Sequence, residues 1–337
     1  MPVTLARQAP TYLASLRERR LRRGSLADRG RRLRIELVNN MPDAAVFSTQ
    51  RQFMRLIEGG ARAFDVTLGL ASLGCVERSA EAQREMGELY RAPSVLSEAP
   101  PDAIIVTGAE PRADELDAEP YWHELTALFD AARARTHATL ASCLAAHALV
   151  LHRDGVRRRR SAQKLSGLYR TEIVAPHALT EGLIEGPTPH SRWNGLDEAE
   201  LVANGYVVLT RVGEGGVDMF AWDEPHLVLC FQGHPEYDGD TLAREFRRDV
   251  GRALAGAPAP QPPANFYPPE IEQRLRAHLA AMLAGEEAPH LPDCVKTAPQ
   301  PDWRQRGAVV VANWLQAIAA RKAAAEAPTF LRARWGG

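Results

Sequence analysis

The sequence predicts an α/β fold in which a mostly parallel sheet carries helices on both faces. Three observations predict it. Short apolar runs of strand character alternate with stretches of helical periodicity over the first half of the chain. Strands that run directly into helices of this length belong in parallel sheets covered on both sides. Finally, Gly108, Cys143 and His234 each follow the end of such a run, and in parallel sheets chemistry gathers at the carboxyl ends of the strands.

The elements follow in order. Leu33–Val38 reads as a strand, Asn39-Asn40-Met41-Pro42 as the turn after it, and Val46–Ala63 as a helix with Phe53, Leu56 and Ile57 inward. Val66–Ala71 is the next strand. Ala103–Gly108 is a buried strand ending in glycine, and Tyr121–Arg135 is an amphipathic helix. The run Ala138-Thr139-Leu140-Ala141-Ser142 leads through Cys143 into a helix over Leu144–His152. After residue 160 the alternation weakens. Val207–Val212 and Val217–Trp222, separated by Glu214-Gly215-Gly216, form a hairpin, and Leu227–Phe231 is a further strand. Asp240–Ala255 is a helix with Leu242, Phe246 and Val250 inward. The proline-rich Ala257–Pro263 is a linker candidate, and helical stretches cover Pro269–Ala284 and Gly307–Ala325. This divides the chain into a basic extension (1–32), an α/β body (33–256), and a linker with a C-terminal helical segment packing on that body (257–337).

The bulk numbers narrow the function classes. The 337 residues are 45% hydrophobic and 25% charged, ordinary for a globular protein with a sizeable core. A net charge of −1 supplies no global field for nucleic acid or anionic membrane. The basic runs Arg17–Arg23 and Arg157–Arg160 read first as solvated arginines. Cys75, Cys143, Cys230 and Cys294 are scattered with no CxxC pair, which argues against a zinc site and a disulfide framework. No bound metal or cofactor is expected. The N-terminus lacks an apolar signal region, and no apolar stretch nears the ~20 residues of a membrane span, so the expected location is the cytoplasm.

Cys143, His234 and Glu236 are the parts of an acyl-transfer triad: a thiolate, an imidazole to manage its proton, and a carboxylate to orient the imidazole. A nucleophile on a tight strand-to-helix turn needs small residues two positions either side, and here they are Ala141 and Ala145. Such a turn aims the first helix amides at the sulfur, and the Leu144 backbone N–H becomes an oxyanion donor. Taken alone, an apolar-flanked cysteine is more often a core residue. Pro235, however, forces Gly233-His234-Pro235-Glu236-Tyr237 out of the sheet, which sets a histidine and a carboxylate over the strand ends.

The surrounding words make a resemblance specific. Asn40-Met41-Pro42, Val106-Thr107-Gly108-Ala109, Tyr121-Trp122, Lys164-Leu165-Ser166-Gly167, Pro176-His177-Ala178-Leu179, Pro189-His190-Ser191-Arg192, Gly233-His234-Pro235-Glu236-Tyr237-Asp238 and Ala312-Asn313-Trp314-Leu315 resemble the homoserine O-acyltransferase family of the MetA type. The resemblance runs from about residue 33 to 318, interrupted by an insertion at 270–298. It implies the class I glutamine amidotransferase-like fold with added terminal helical segments. It also implies ping-pong transfer, with acyl-CoA as co-substrate and L-homoserine as acceptor, in a homodimer. Cys143 would carry the acyl group as a thioester, His234 would be general base and Glu236 would hold its tautomer. Lys164, Ser191 and Arg248 would contact substrate, an arginine being suited to the amino acid's carboxylate.

Two loops depart from the family pattern and keep a non-catalytic reading open, and the second also bears on the donor. Asp43-Ala44-Ala45 follows Met41-Pro42 where relatives often carry a lysine. Glu110-Pro111-Arg112 replaces the usual loop, and Arg112 stands where glycine goes with succinyl donors and glutamate with acetyl donors. A cation there favours succinyl-CoA through the succinyl carboxylate, unless Glu110 neutralises it. The alternatives are a homoserine O-acetyltransferase, a glutamine amidase, and a non-catalytic binding protein of the same fold. Against the amidase, the segment after Glu236 carries no nucleotide-binding motif of a fused synthetase.

Overall fold

The computed structural model describes residues 4–5, 31–87, 89–96, 99–213, 216–223, 225–286 and 302–327. Among these, eleven strands share one sheet. They are β1 (Thr4–Leu5), β2 (Arg32–Val38), β3 (Asp65–Ala71), β4 (Tyr90–Arg91), β5 (Ala103–Val106), β6 (Ala138–Ser142), β7 (Arg159–Ile173), β8 (Gly186–Gly195), β9 (Val207–Val212), β10 (Gly216–Trp222) and β11 (Leu227–Phe231). The helices are α1 (Asp43–Gly60), α2 (Ala80–Met86), α3 (Trp122–Arg135), α4 (Leu144–Asp154), α5 (Glu198–Ala203), α6 (Thr241–Leu254), α7 (Pro269–Leu283) and α8 (Trp303–Glu326).

The strand order is β1-β3-β2-β5-β6-β11-β10-β9-β7-β8, with β4 also beside β3. Every pairing from β1 to β11 is parallel, and every pairing from β11 to β8 is antiparallel. The expected mostly parallel sheet is therefore present, extended by an antiparallel wing. Its register places the site. Val106 pairs with Ala141, Ala141 with Cys230, and Ser142 with Phe231. Strands β5, β6 and β11 thus end level, and the residues after them emerge at one edge.

The two faces are covered as parallel strands require. On one, Ile35, Leu37, Leu68, Leu140 and Leu229 meet Phe53, Leu56 and Ile57 of α1 and Val310, Val311, Trp314, Leu315 and Ile318 of α8. On the other, Ile104, Val106, Ala141 and Cys230 meet Leu125, Leu128 and Phe129 of α3 and Ala145, Ala148 and Leu149 of α4. A smaller cluster joins Leu242, Phe246 and Val250 of α6 to Leu275 and Leu279 of α7, Tyr237 and Trp303.

Three elements differ from expectation, one being α8, which begins at Trp303 and not at Gly307. Helix α1 begins at Asp43 and ends at Gly60, and a 3-10 turn over Ala61–Ala63 completes the predicted span. The weakly patterned region after residue 160 is a long antiparallel pair, β7 with β8. Its outer end is polar and exposed from Arg159 to Gln163, so period-two alternation has no buried face to mark. The predicted linker Ala257–Pro263 leads into Ala264, whose N–H donates to Ser166 O and whose carbonyl accepts from Leu168 N–H. Cys75, Cys143 and Cys230 are free thiols. Cys294, the run Arg17–Arg23 and residues 287–298 of the insertion lie outside the described residues. No described helix is long and apolar enough to cross a membrane.

Helix α8 lies close against both α1 and the turn after β11. A Cβ on Gly60 would fall 2.8 Å from Ala312 N, and one on Gly307 would fall 2.8 Å from Pro235 Cβ and 2.9 Å from Leu56 Cδ1. Gly307→Ala is expected to destabilise the fold by about 1–3 kcal/mol, the usual cost of overpacking. A lowered denaturant midpoint with an unchanged slope is the expected reading, and an unchanged midpoint contradicts the packing.

Candidate active site

Cys143 sits where β6 becomes α4, with φ 55° and ψ −115°. A left-handed φ on a non-glycine residue is strained and persists only where the surroundings hold it. They do so here: Cys143 N–H donates to Phe231 O at 2.7 Å, and Cys143 O accepts from Ala146 N–H at 3.0 Å. Ala141 and Ala145 are fully buried on either side, so the turn closes without side-chain conflict. The Leu144 amide begins α4, and the absent side chain of Gly108 leaves it uncovered. A Cβ on Gly108 would sit 3.4 Å from Leu144 N.

His234 and Glu236 follow β11 in the turn that Pro235 forces. The backbone N–H of His234 donates to Pro189 O at 2.8 Å. Its Nδ1 lies 2.8 Å from Glu236 Oε1, and its side chain hydrogen-bonds that of Cys143. A carboxylate only accepts, so Nδ1 carries the proton toward Glu236 and Nε2 faces the sulfur. The imidazole also stacks on the Tyr237 ring, centroids 4.2 Å apart and planes 14° from parallel. Burial alone lowers the pKa of His234, but the Glu236 carboxylate, the charge on Cys143 and hydrogen bonds from both raise it well above the usual histidine value. A half-buried cysteine beside a carboxylate-held imidazole is equipped for nucleophilic acyl transfer.

The other predicted residues fall into two groups. Lys164 Nζ donates to Asp249 Oδ2 at 2.7 Å, and Arg248 holds Asp249 Oδ1 through Nε and Nη2 at 3.0 and 2.9 Å. Burial raises the pKa of Asp249, but these two cations overcome it and hold the carboxyl below its ordinary value. Lys164 reaches this position from an irregularity in β7: Arg160 pairs with Asn194 and Leu165 with Arg192, which leaves residues 161–164 bulged opposite Trp193. Ser191 pairs with Ser166 on the neighbouring strand. Arg112 stands apart on an exposed loop, and its partner is Glu77 at 2.9 Å. Glu110, the neutralising neighbour considered from sequence, instead pairs with Arg252 at 2.6 Å. The sequence could not show this, because Glu77 is far away along the chain.

Several residues at the site carried no sequence signal. Arg192 is buried, and burial pulls its pKa down while the charges of Cys143 and Asp218 oppose that fall. Its Nε donates to His190 Nδ1 at 3.4 Å, and His190 Nε2 lies 3.1 Å from Asp218 Oδ1. Asp218 Oδ2 accepts from Thr210 Oγ1 at 2.7 Å. From α8, Trp303 Nε1 and Arg304 Nε donate to Tyr237 O at 3.0 and 3.2 Å, which clamps the turn carrying His234. Only the word Pro189-His190-Ser191-Arg192 hinted at any of these. The loop that departs at Asp43 is tied down by Arg78, which bonds Met41 O, Asn39 O, Ser72 Oγ and Asp43.

Glu236→Gln keeps an acceptor for Nδ1–H but removes the charge that most raises the His234 pKa. The alkaline limb of the pH–rate profile for acyl-enzyme formation is expected to move to lower pH. The rate should fall by about two orders of magnitude, as for loss of acid–base assistance. His234 titrates near 6.5 unfolded and well above that when folded, so its protonation stabilises the fold fully below about pH 6.5. That contribution is lost as pH rises through the raised native value, and the substitution flattens the dependence. An alkaline limb that does not move contradicts this electrostatic account.

The family model for homoserine O-succinyltransferase matches residues 20–324. A homoserine O-succinyltransferase from Methylorubrum extorquens is 45% identical over 303 residues, covering 88% of this chain and 90% of that protein. Another from Bradyrhizobium japonicum is 42% identical over 289 residues, covering 80% and 89%. Among solved structures, the chain is similar to a glutamine amidotransferase from Methylobacillus flagellatus at 16% identity, covering 85% and 95% with a TM-score of 0.49. With most of its length matched in this way, the chain belongs to the homoserine O-succinyltransferase family.

Proposed function

We propose that this chain transfers a succinyl group from succinyl-CoA to the hydroxyl of L-homoserine through a thioester on Cys143, a step of methionine synthesis. The observation that carries the proposal is the hydrogen-bonded series Cys143–His234–Glu236 at the level ends of β6 and β11. Family membership supplies the substrates.

In the first half-reaction, the Cys143 thiolate attacks the thioester carbonyl of the donor. The oxyanion forms beside the Leu144 N–H, in the space that Gly108 leaves. The carbon–sulfur bond to CoA breaks, and the His234 imidazolium gives its proton to the departing thiolate. In the second, neutral His234 takes the proton of the homoserine hydroxyl as its oxygen attacks the enzyme thioester, and Cys143 leaves as thiolate. Glu236 stabilises the imidazolium in both. Lys164, Ser191 and Arg248 hold the acceptor, with Asp249 fixing both cations until substrate arrives. Arg112 takes the succinyl carboxylate by exchanging it for Glu77.

The same reading has the protein act in the cytoplasm as a homodimer, on the strength of the family resemblance. It also has a body over 33–256 with the C-terminal helical segment packed on it, supported by the burial of Trp314 and Leu315 in the main core. One observation favours the acetyl alternative: Arg112 is already paired with Glu77, so its charge is not idle.

Intact-protein mass spectrometry after mixing with succinyl-CoA or acetyl-CoA tests donor and nucleophile together. A succinyl adduct on the wild type, discharged by homoserine and absent from Cys143→Ala, is expected. Full transfer activity in Cys143→Ala overturns the thioester mechanism, and a preferential acetyl adduct overturns the donor.

A further inference from the structure

The arginine run at residues 157–160 is a sequence feature that the acyl-transfer machinery does not use. Its members divide by partner. Arg157 pairs with Glu115 at 2.6 Å and Asp117 at 3.1 Å, and Arg159 pairs with Asp197 at 2.8 Å and with Glu200. Among the described residues, Arg158 donates only to a backbone carbonyl, Asp114 O, at 3.0 Å. Arg160 lies over the Trp193 ring, 4.8 Å from its centroid. Among the described residues, neither Arg158 nor Arg160 has a carboxylate partner.

Placement makes this more than a solvated run. Trp193 is 37% exposed, large for an indole. It follows Ser191 by two residues on β8, so the two side chains share a face about 7 Å apart. Arg160 pairs across from Asn194, at the start of the bulge that carries Lys164. On the other side, Arg157 and Arg158 grip residues 114–117 of the loop that also holds Arg112. The strip therefore spans from the Arg112 loop to the strand bearing Ser191, beside the bulge that carries Lys164.

An acyl-CoA presents its thioester on a flexible arm and, at the far end, an adenine with a phosphate and a pyrophosphate. Guanidiniums suit phosphates through paired N–H donors, and bases stack on aromatic rings and on guanidinium planes. We propose that Arg158, Arg160 and Trp193 form the subsite for the nucleotide end of the donor. Arg158 and Arg160 take phosphate oxygens, and the adenine stacks on the Trp193–Arg160 platform. Arg157 and Arg159 brace the strip through their own carboxylates. The inference rests on the proposed acyl transfer for the identity of the donor.

The test compares succinyl-CoA with succinylpantetheine, which lacks the nucleotide, in the wild type and in Trp193→Ala and Arg160→Ala. The wild type is expected to prefer succinyl-CoA in kcat/KM. Each variant should reduce that preference about tenfold, the loss of one base–aromatic stack or phosphate contact, mainly through KM for succinyl-CoA. Arg276→Ala, on an exposed helix arginine paired with Glu272, serves as the control and should leave the preference intact. Calorimetric binding of CoA itself, without transfer, should weaken by a similar factor in the two variants. A preference unchanged by either substitution, or an equal loss with both donors, overturns the subsite. If CoA binds through these residues while no succinyl group reaches homoserine, the subsite stands and the proposed reaction fails.

Discussion

Strands β6 and β11 pair in parallel and end together, and the bond from Cys143 N–H to Phe231 O at 2.7 Å continues that pairing one residue past β6. The rest of the site depends on this bond. It anchors the backbone just as Cys143 takes a left-handed φ, so the strain of the turn is held by the sheet. It also fixes the height of the sulfur relative to β11, whose chain leaves the sheet after Phe231 and carries His234 over the edge. A slip of one residue in this ladder would turn the side chains of β11 to the opposite faces and undo both cores at once.

The electrostatics follow from that placement. A buried imidazole would ordinarily lose its proton, since desolvation penalises the charged form. Here Glu236 on one nitrogen and Cys143 on the other reverse the outcome. The parallel stack on Tyr237 and the hydrogen bonds from Trp303 and Arg304 to Tyr237 O keep the ring in line with both partners. The C-terminal helix thus helps to position His234, although it lies far from it in sequence. Behind the turn, His190, Asp218 and Thr210 form a second buried polar series, and a Cβ on Gly233 would fall 2.5 Å from Asp218 Oδ1. Position 233 therefore has no room for a side chain.

Much of this was legible in the residues, for physical reasons. Apolar runs such as Ala103–Val106 and Leu227–Phe231 admit one environment, a strand buried on both faces, and their ends mark where chemistry sits. Pro235 and the small residues around Cys143 report backbone geometry directly. What escaped has no local signature. The pair β7–β8 is half solvated, so its pattern is weak although its pairing is long. Asp249, Arg192 and Glu77 gain their meaning from partners distant in the chain, and a charged residue reads the same whether its partner is near or absent. Trp303 lies outside the predicted helix Gly307–Ala325 because α8 begins before the apolar periodicity does.

Glu236 and Cys143 together raise the pKa of His234 against the effect of burial. Titration of His234 by nitrogen-15 NMR, in the wild type and in Cys143→Ala, addresses it most directly. An imidazolium is expected at neutral pH in the wild type, with a pKa well above the ordinary histidine value that falls when Cys143 is removed. A neutral His234 at pH 7 in the wild type, or a pKa indifferent to Cys143, would contradict it.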